Sequence, residues 1–404
     1  MILGSTGSIG RQALEVIERR PDMFRVTGLA AGGASLGVLV EQVRQFRPSV
    51  VAVGDEASAE GLRLVLAAEH LSADVWSGPE AATRLAESAC DVVLNGITGA
   101  AGLRPTLATL RAGTTLALAN KESLVIGGRL VIEAAAAGQI VAVDSEHSAF
   151  AQALRAGRAD EVRKLILTAS GGPFRGRSRA DLATVTVDHA MAHPTWAMGR
   201  VITINSATLV NKGLELLEAA LLYGVDLDAI QVVVHPQSVV HSMVEFIDGS
   251  TIAQCSPPDM RLPIALGLTW PDRLPDAARA CDWTGPAAWT FEPLDVHVFP
   301  AVDLARRCGH AGGTAPAVYN AANEECVDAF CAGAIGFLDI VDTVAAVVDE
   351  HLATGSDVVG AELGEAFIPD EGITLEAVLA ADAWARRRAA QLVQVDLRTR
   401  GGAR

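Results

Sequence analysis

The sequence is short of positive charge, which limits its possible partners. Lys and Arg number 32 against 48 Asp and Glu, so the formal net charge is -16. A chain with this balance lacks the basic surface on which nonspecific nucleic-acid binding depends, and we expect no nucleic-acid partner. An anionic small molecule is still allowed, because a local pocket can be basic on an acidic protein.

The cysteines lack the spacing of a zinc ribbon or a dithiol redox site. They are Cys90, Cys255, Cys281, Cys308, Cys326 and Cys331, and none forms a Cys-x-x-Cys pair. Scattered cysteines in a large chain are typical of a reducing cytosol. We also expect no signal peptide, and therefore a cytoplasmic protein.

Long uninterrupted apolar runs are missing as well. A membrane-spanning helix needs about 18 or more apolar residues, and Gly or polar residues interrupt every stretch before that length, so no membrane association is expected. Half of the 404 residues are nevertheless hydrophobic and only 20% are charged, which allows large buried cores. A chain of this length is expected to form two or three domains.

A glycine-rich turn follows the first predicted strand. Met1-Ile2-Leu3 leads into Gly4-Ser5-Thr6-Gly7-Ser8-Ile9-Gly10, and an amphipathic helix then runs to about Arg20. Glycines at this spacing let backbone N–H groups approach a pyrophosphate at the helix N-terminus. An ordinary strand–helix turn is the alternative, but the flanking strand and helix favour a nucleotide site.

The second predicted strand, residues 25–31, ends without an acidic residue. NAD sites usually place Asp or Glu there to hold the ribose 2′-hydroxyl, whereas this chain has Gly32 and Gly33. The missing carboxylate removes a repulsion against a 2′-phosphate, so the sequence favours NADP over NAD.

Strands and helices alternate through the first 144 residues. Helices are predicted at 36–46, at 57–69, from the glycine-rich turn 96–102 to about residue 112, and at 130–137. Strands are predicted at 50–53, 92–95, 115–119 and 140–143. This alternation predicts a parallel, doubly wound sheet.

Polar residues follow two of these strands at their carboxyl ends, where open α/β sheets bind ligands. Asp144 and Glu146 flank Ser145, and two carboxylates so close can turn toward one hard cation. A solvated loop, or a helix N-terminus that attracts negative charge, explains the same pattern. The triplet Asn120-Lys121-Glu122 is expected at the same crevice, or it caps a helix as a polar loop.

The next block carries candidates for anion binding. Ser170 and two glycines follow the predicted strand 164–168, forming either an anion nest or a tight turn. The segment 193–199 contains His193, Trp196 and Gly199 and suits a flap that excludes water, or a surface loop whose Trp enters the core. His193 alone would more often be structural.

A predicted strand at 201–204 leads into a helix from Asn205 to about Tyr223. Asn211 and Glu215 share one face of this helix, with Lys212 alongside. A charged Glu on the apolar side of a helix is costly unless it is paired or bound to metal. Pairing with Lys212 is the simpler explanation.

The remainder combines strands and helices. A strand at 232–235 is followed by a hairpin in which Asp248-Gly249 predicts a tight type I′ turn. Residues 283–300 form a connector, and helices are predicted at 302–308, 316–331, 340–353 and 374–393. Asn320, Asn323 and Glu324 are expected to be caps or surface residues.

The predicted fold class is therefore α/β, with an N-terminal Rossmann-type parallel sheet, an α+β catalytic domain and a C-terminal helical bundle. The predicted domains are 1–144 for cofactor binding, 145–280 for catalysis and dimerisation strands, 281–300 as connector and 301–404 as helical domain. The carboxylates Asp144, Glu146 and Glu215 suffice for one divalent cation with open positions. A neighbouring set, Ser170, His193, Ser206, Asn211 and Lys212, could hold a phosphate. The glycine turn and the 120–122 loop could hold a dinucleotide. A metal site, a phosphate site and a nicotinamide site together suggest redox chemistry on a phosphorylated sugar.

These motifs, in this order, resemble the 1-deoxy-D-xylulose 5-phosphate reductoisomerase family over about residues 3–271. The matching stretches are residues 4–10, 118–124, 143–147, 170–175, 193–199, 206–215, 235–242, 248–250 and 258–260. Several are weak alone, but their combination is highly specific.

The resemblance implies a role for each matching residue. It implies Mg²⁺, Mn²⁺ or Co²⁺ on Asp144, Glu146 and Glu215, with Lys121, Glu146 and His193 as catalytic residues. The implied substrate contacts are Ser145, Glu146, Ser170, His193, Ser206, Asn211, Lys212 and Glu215. The implied NADPH contacts are Thr6, Gly7, Ser8, Ile9, Gly32, Asn120, Glu122 and Gly199. A flap with Trp196 over the ligand and a homodimer of three-domain subunits are also implied.

The implied reaction has two stages. In its retro-aldol/aldol version the C3–C4 bond of 1-deoxy-D-xylulose 5-phosphate breaks and the fragments rejoin as a branched aldehyde. NADPH then reduces that aldehyde to 2-C-methyl-D-erythritol 4-phosphate, a step of isoprenoid precursor synthesis.

Three positions depart from the family. Gly33 stands where many members carry Lys, which affects how a 2′-phosphate would be held. Asn205 stands where many carry Asp, a change expected at a helix start. Met1 lies close to the first glycine, so the first strand is expected to be short.

Other functions compete with this interpretation. A related oxidoreductase acting on another phosphorylated sugar is opposed by the phosphate and flap residues. A metal-dependent isomerase or aldolase without nicotinamide is opposed by the 4–10 turn, and a catalytically dead binding protein by the three carboxylates.

Overall fold

The computed structural model describes the backbone of residues 1–195, 198–354 and 362–401, and the side chains of these residues as far as 395. Within these ranges the strands are β1 Ile2–Leu3, β2 Gly28–Ala31, β3 Val50–Val53, β4 Asp74–Ser77, β5 Val92–Asn95, β6 Thr115–Leu118, β7 Ile140–Ala142, β8 Val162–Ala169, β9 Ile230–Val234, β10 Val240–Phe246, β11 Thr251–Cys255 and β12 Glu292–Pro293. The helices are α1 Ser8–Glu18, α2 Leu36–Phe46, α3 Glu56–Ala68, α4 Ala81–Ala86, α5 Leu103–Arg111, α6 Lys121–Ala134, α7 Ser145–Ala153, α8 Arg179–Leu182, α9 Val187–Met191, α10 Arg200–Ala207, α11 Val210–Tyr223, α12 Arg261–Thr269, α13 Ala301–Ala311, α14 Ala315–Cys331, α15 Phe337–Ala353 and α16 Leu375–Gly401.

The chain forms two compact units, each built from separate segments. The first comprises Met1–Ser123, Glu133–Ser148 and Asp259–Arg279, and the second Leu124–Ile132, Ala149–Pro258 and Ala280–Arg404. These units do not follow the contiguous domains predicted from the sequence. The predicted domain boundaries stay a prediction.

The first unit is organised around a parallel sheet. Among the described residues its strand order is β4-β3-β2-β1-β5-β6-β7, and every neighbouring pair is parallel. Strands β2 to β4 extend the sheet on one side of β1, and strands β5 to β7 extend it on the other side. Such a change of side creates a crevice at the carboxyl ends of the two central strands, β1 and β5. The predicted doubly wound sheet is confirmed, with β4 and α4 as additional elements.

Helix α12 returns from late in the chain to cover this sheet. Its buried face includes Ile264, Ala265 and Leu266, and fully burying an Ile or Leu side chain contributes about 1.5–3 kcal/mol. A Cβ added at Gly267 would lie 2.5 Å from Cγ2 of Val143. Glycine therefore lets α12 lie close to the chain that follows β7.

The second unit contains a mixed sheet in the order β11-β10-β8-β9-β12. Strand β10 pairs antiparallel with β8 and β11, whereas β8 and β9 are parallel. The core beneath this sheet is continuous with that of the C-terminal helices, since Leu165, Leu214, Tyr319 and Val344 belong to one buried cluster. The α/β class, the α+β part and the helical C-terminal region are confirmed.

The predicted type I′ turn of the β10–β11 hairpin is wrong. The N–H of Gly249 donates to the carbonyl of Phe246 (3.0 Å), and the N–H of Phe246 donates to the carbonyl of Ser250 (2.9 Å). Gly249 has φ +87° but Asp248 does not have positive φ, as a type I′ turn would require. This is a three-residue loop in which glycine forms a bulge after an ordinary turn.

The predicted strand at 201–204 is also wrong, because these residues lie within α10. Val201-Ile202-Thr203-Ile204 has strong β propensity, but the helix buries Thr203, Ile204 and Ala207. The hydroxyl of Thr203 bonds back to the carbonyl of Gly199 at 2.9 Å, which removes a polar cost of its burial. Asn205 is accordingly near the end of a helix and not at its start.

No helix in the described ranges combines the length and apolarity required to cross a membrane. All six cysteines are unbonded to one another.

Candidate active site

The turn between β1 and α1 is built for close backbone approach. Gly4 has φ +78°, and a Cβ there would lie 2.6 Å from the carbonyl oxygen of Gly96. A Cβ at Gly10 would lie 2.4 Å from the carbonyl oxygen of Gly4. Gly7 precedes α1 and provides no side-chain cap, so backbone N–H groups at the helix N-terminus can meet an anion.

The predicted cofactor residues of this turn differ in exposure. Gly7 and Ser8 are exposed, whereas Thr6 and Ile9 are half-buried. A ligand over the turn would therefore meet backbone at 7 and 8 and side chains at 6 and 9.

The end of β2 has a special backbone. Gly32 is exposed with open space around it, but Gly33 has φ +101°. A Cβ at Gly33 would lie 2.4 Å from Oγ of Ser58 and 2.8 Å from Oδ2 of Asp55. Asp55 caps α3 by accepting from the N–H of Ser58 (2.8 Å), so the loop after β3 is fixed against Gly33. Sequence reasoning missed this contact, because it joins the segments that follow two different strands, β2 and β3.

Asn120 ties the start of α6 to the turn after β5. Its Oδ1 accepts from the N–H of Ser123 (2.7 Å), and its Nδ2 donates to the carbonyl of Gly99 (3.2 Å) and to Oε2 of Glu122 (3.2 Å). The triplet therefore caps a helix, as one interpretation of the sequence held, and it lies beyond β6 in the crevice-forming sheet.

Asp144 lies at the N-terminus of α7 and gathers donors. Oδ1 accepts from the N–H groups of Glu146 (3.0 Å) and His147 (3.2 Å), and lies 2.9 Å from Nδ1 of His147. Oδ2 accepts from Nζ of Lys121 at 2.9 Å. Burial opposes ionisation, but the Lys121 ammonium and His147 outweigh it and hold the pKa of Asp144 well below its usual range. Asp144 is therefore an ionised carboxylate.

Glu146 belongs to the first turn of α7 and is half-buried, and its Oε2 accepts from the hydroxyl of Ser145. The pattern Asp-Ser-Glu thus marks a helix N-terminus and not a solvated loop. Asp144 and Glu146 therefore offer the hard oxygen donors that Mg²⁺ and Mn²⁺ prefer.

In the second unit, three polar side chains from different segments meet. Nε2 of His193 lies 3.3 Å from Oγ of Ser170 and 3.0 Å from Oγ of Ser206. Gly171 and Gly172 have positive φ, and the N–H of Gly172 donates to Oγ of Ser170 at 3.2 Å. Burial lowers the pKa of His193, which favours its neutral ring. We call Ser170, His193 and Ser206 the hydroxyl–imidazole group.

A cavity of about 420 Å³ opens beside Ser170. Arg175 and Arg177 contribute to its lining, and Arg175 also pairs with Glu292 at 2.7 Å. The described residues that line the cavity include no acidic side chain, so the space has basic character. Such a cavity suits a small anionic ligand.

Helix α11 begins after a sharp change of direction at Leu209, which has φ +62°. Its first turns carry Lys212 and Glu215, both almost fully buried, and the ammonium of Lys212 donates to Oε2 of Glu215. Asn211 donates to the other oxygen, Oε1. The pairing expected from the sequence is present, and it meets the cost of burying the Glu215 charge.

Gly199 precedes α10 and is exposed. Trp196 lies outside the described residues, and so does the centre of the predicted flap. Asp144 and Glu146 belong to the first unit and Glu215 to the second, so their union in one metal site stays a prediction.

A doubly wound parallel sheet, with a glycine turn after β1 and carboxylates following its strands, is typical of enzymes of the dinucleotide-binding α/β class. Matches to protein-family models show to which family of this class the chain belongs. One described as 1-deoxy-D-xylulose 5-phosphate reductoisomerase matches residues 1–128, and its C-terminal domain profile matches residues 140–223. A third, described as DXP reductoisomerase C-terminal domain, matches residues 255–388.

Full-length relatives agree. The chain is 68% identical to the 1-deoxy-D-xylulose 5-phosphate reductoisomerase of Cutibacterium acnes, covering 97% of both chains. It is 60% identical to that of Kitasatospora griseola, covering 97% of this chain and 99% of the relative. The chain belongs to the 1-deoxy-D-xylulose 5-phosphate reductoisomerase family.

Solved structures of the family share the fold. The Zymomonas mobilis enzyme in complex with NADPH has a TM-score of 0.86 at 41% identity, covering 97% of this chain and 98% of that one. A reductoisomerase in complex with NADPH, fosmidomycin and magnesium has a TM-score of 0.88 at 36% identity, covering 98% of both chains.

Proposed function

We propose that this protein rearranges 1-deoxy-D-xylulose 5-phosphate and reduces the product with NADPH to 2-C-methyl-D-erythritol 4-phosphate, with the help of a divalent cation. The observation that carries the proposal is the similarity of nearly the whole chain to 1-deoxy-D-xylulose 5-phosphate reductoisomerases. Among them are structures solved with NADPH and with magnesium. The isoprenoid precursor pathway is the corresponding setting.

The chemistry of the carboxylates fits a hard divalent cation. We assign the cation to Asp144, Glu146 and Glu215, whose oxygens are the donors that Mg²⁺, Mn²⁺ and Co²⁺ accept in proteins. When bound, such a cation polarises the oxygens of a substrate and stabilises negative charge. Lys121 keeps Asp144 ionised, and Lys212 provides a positive charge beside Glu215.

The hydroxyl–imidazole group is assigned to the substrate, together with Asn211 and Lys212. Two hydroxyls, a ring nitrogen, an amide and an ammonium can surround a phosphate with donors. The basic cavity beside Ser170 supports an anionic small molecule there. Ser145 and Glu146 are assigned to substrate hydroxyls, and Lys121 and His193 to positions where they orient the substrate or hold a proton.

The nicotinamide cofactor is assigned to the first unit. Its pyrophosphate would meet the N-terminus of α1 at Thr6, Gly7, Ser8 and Ile9. The proposed contacts also include Asn120 and Glu122, since Nδ2 of Asn120 donates to Oε2 of Glu122 at 3.2 Å. Gly32 and the exposed Gly199 complete the proposed set. The segment 193–199 is assigned to a flap that excludes water from the reaction.

A homodimer and a cytoplasmic location complete the proposal. Strand β11 is at the edge of its sheet, and Thr251, Ile252 and Ala253 are exposed. An exposed edge strand is a ready template for pairing with another chain. The unbonded cysteines suit a reducing compartment.

The decisive test is loss of NADPH absorbance with 1-deoxy-D-xylulose 5-phosphate and Mn²⁺ or Mg²⁺, repeated with a chelator and with NADH. We expect oxidation that needs the metal and prefers NADPH. No oxidation by a protein that still binds NADPH would point to another phosphorylated sugar. Turnover without metal would remove the cation from the proposal.

A further inference from the structure

A pair of buried amides joins α10 to the C-terminal helix α14. Nδ2 of Asn323 donates to Oδ1 of Asn205 at 2.9 Å. Asn323 is 0% exposed and Asn205 is 4% exposed. Burial of Asn323 contradicts its expected place at a cap or on the surface. A buried amide is costly without a partner, so the two side chains hold one another.

Asn205 is the neighbour of Ser206 in sequence. Oγ of Ser206 lies 3.0 Å from Nε2 of His193, which reaches Ser170. On the other side, a Cβ at Gly172 would lie 2.9 Å from the carbonyl oxygen of Ser206. The backbone of Ser206 is therefore fixed between the turn that carries Ser170 and the residue held by Asn323.

Another polar contact between the two helices is weak. Arg200 donates to Asp328 at 2.7 Å, but the two side chains are 56% and 61% exposed. Surface ion pairs of this kind contribute little, because water screens them and both side chains lose freedom. The buried amide pair is the stronger polar connection of α14 to α10.

We propose that Asn323 is a positioning residue, which acts through Asn205 to hold Ser206 in the geometry that binds the substrate phosphate. The inference deepens the proposed function and rests on it. It also accounts for residue 205, where the family resemblance gives Asp in many members and this chain has Asn. Either side chain offers an oxygen that accepts from Nδ2 of Asn323.

Carboxylate substitutions test the pair without changing side-chain size. N205D keeps the acceptor, and in N323D the amide of Asn205 can turn to donate. N205D/N323D places two carboxylates together without a donor. We expect the substrate KM of the double variant to rise about tenfold beyond the product of the single effects, the equivalent of one buried hydrogen bond. The kcat and the Kd of NADPH should change little. Lowering the pH should reduce the ratio of the double-variant KM to the wild-type KM measured at the same pH, because one carboxylate becomes protonated.

Asn320 provides a control on the same helix. It is 1% exposed, which also contradicts its expected place at a cap or on the surface, and its Nδ2 donates to Oε1 of Glu324 (2.9 Å). We expect N320L to lower the melting temperature while the substrate KM stays unchanged. An N320L effect on KM equal to that of the double variant, or strict additivity of N205D and N323D, would overturn the inference.

A second measurement separates this inference from the proposed function. Calorimetric titration with inorganic phosphate reports on the hydroxyl–imidazole group without turnover. A wild-type protein that leaves 1-deoxy-D-xylulose 5-phosphate unchanged overturns the proposed function. In that case, weaker phosphate binding by the double variant than by N320L still supports positioning, and equal binding overturns it.

Discussion

Nζ of Lys121 lies 2.9 Å from Oδ2 of Asp144, while Oδ1 of the same carboxylate faces His147. One residue follows β6 and the other follows β7, and these strands are parallel neighbours. The sheet thus brings an ammonium and a carboxylate to one edge and keeps the carboxylate charged. A charged carboxylate is what a divalent cation requires.

Asp144→Asn is expected to lower kcat/KM at least about a hundredfold, because an amide is a poorer ligand and loses the negative charge. Glu215→Gln should act alike. The Kd of NADPH, followed by fluorescence, should stay within about twofold, since the contacts proposed for the cofactor pyrophosphate lie at the glycine turn and not at these carboxylates. Asp181→Asn, at an exposed carboxylate, is the control. Near-native activity in either site variant would remove that residue from the metal site.

Gly10→Ala is expected to abolish NADPH binding. The added methyl would lie 2.4 Å from the carbonyl oxygen of Gly4 and 2.5 Å from Cα of Ser5, so the turn must open. Gly37→Ala is the matched control, since no atom lies near its Cβ position and it belongs to α2. Alanine there should raise stability by about 0.5–1 kcal/mol. Equal NADPH affinity of the two variants would contradict a cofactor role for the turn.

Gly33→Lys is expected to cost about 1–3 kcal/mol of stability, because a side chain at φ +101° is strained and its Cβ meets Ser58. The Lys that the family resemblance places at this position therefore cannot simply be introduced to strengthen NADPH binding. Thermal denaturation and NADPH titration would test this. Gly32→Ala, which meets no neighbouring atom, should keep wild-type stability. Tighter NADPH binding by a fully stable Lys variant would refute the argument.

His351 is expected to make the C-terminal helices sensitive to acid. Nδ1 faces the carbonyl of Glu365 (2.7 Å) and Nε2 faces the hydroxyl of Thr314 (2.8 Å), and burial lowers the pKa of the ring from 6.5. Between the lowered pKa and 6.5 the unfolded chain binds more protons than the folded one. Stability should therefore fall as pH drops below about 6.5 and level off below the folded pKa.

Hydrogen exchange of the α15 amides between pH 8 and 5 measures this effect locally. His351→Gln should be less stable at neutral pH but less dependent on pH. His297→Gln, at an exposed position, should keep the wild-type profile. A wild-type profile in the His351 variant would assign the acid sensitivity elsewhere.

Much of the first unit could be predicted from sequence because its signals are local. Strands β3 and β5 and helix α2 have the bounds that hydrophobic pattern and flanking turns indicate. Sequence also placed Lys121 and Asp144 at one sheet edge, since parallel strands share the direction of their carboxyl ends. Their mutual pairing could not be predicted, because it depends on side-chain direction.

Long-range packing set the limit of prediction elsewhere. The β-branched run at 201–204 became helix because α10 buries Thr203 and Ile204 within the second unit. Asn323 gave no signal, since its partner Asn205 is 118 residues away and both are ordinary polar residues in sequence. The hairpin turn required the sign of φ at Asp248, which Asp-Gly alone does not determine.

The return of α12 to the first sheet affects how the protein is made. During translation, the seven strands of that sheet leave the ribosome before Arg261 is synthesised. Until then, Val143 and its neighbours lack the contacts with α12 that bury them. A fragment ending near residue 148 would keep that apolar face exposed to water and would be prone to self-association. Because Asp259–Arg279 belongs to the same unit, a gene fragment that encodes residues 1–148 would not encode the complete first unit.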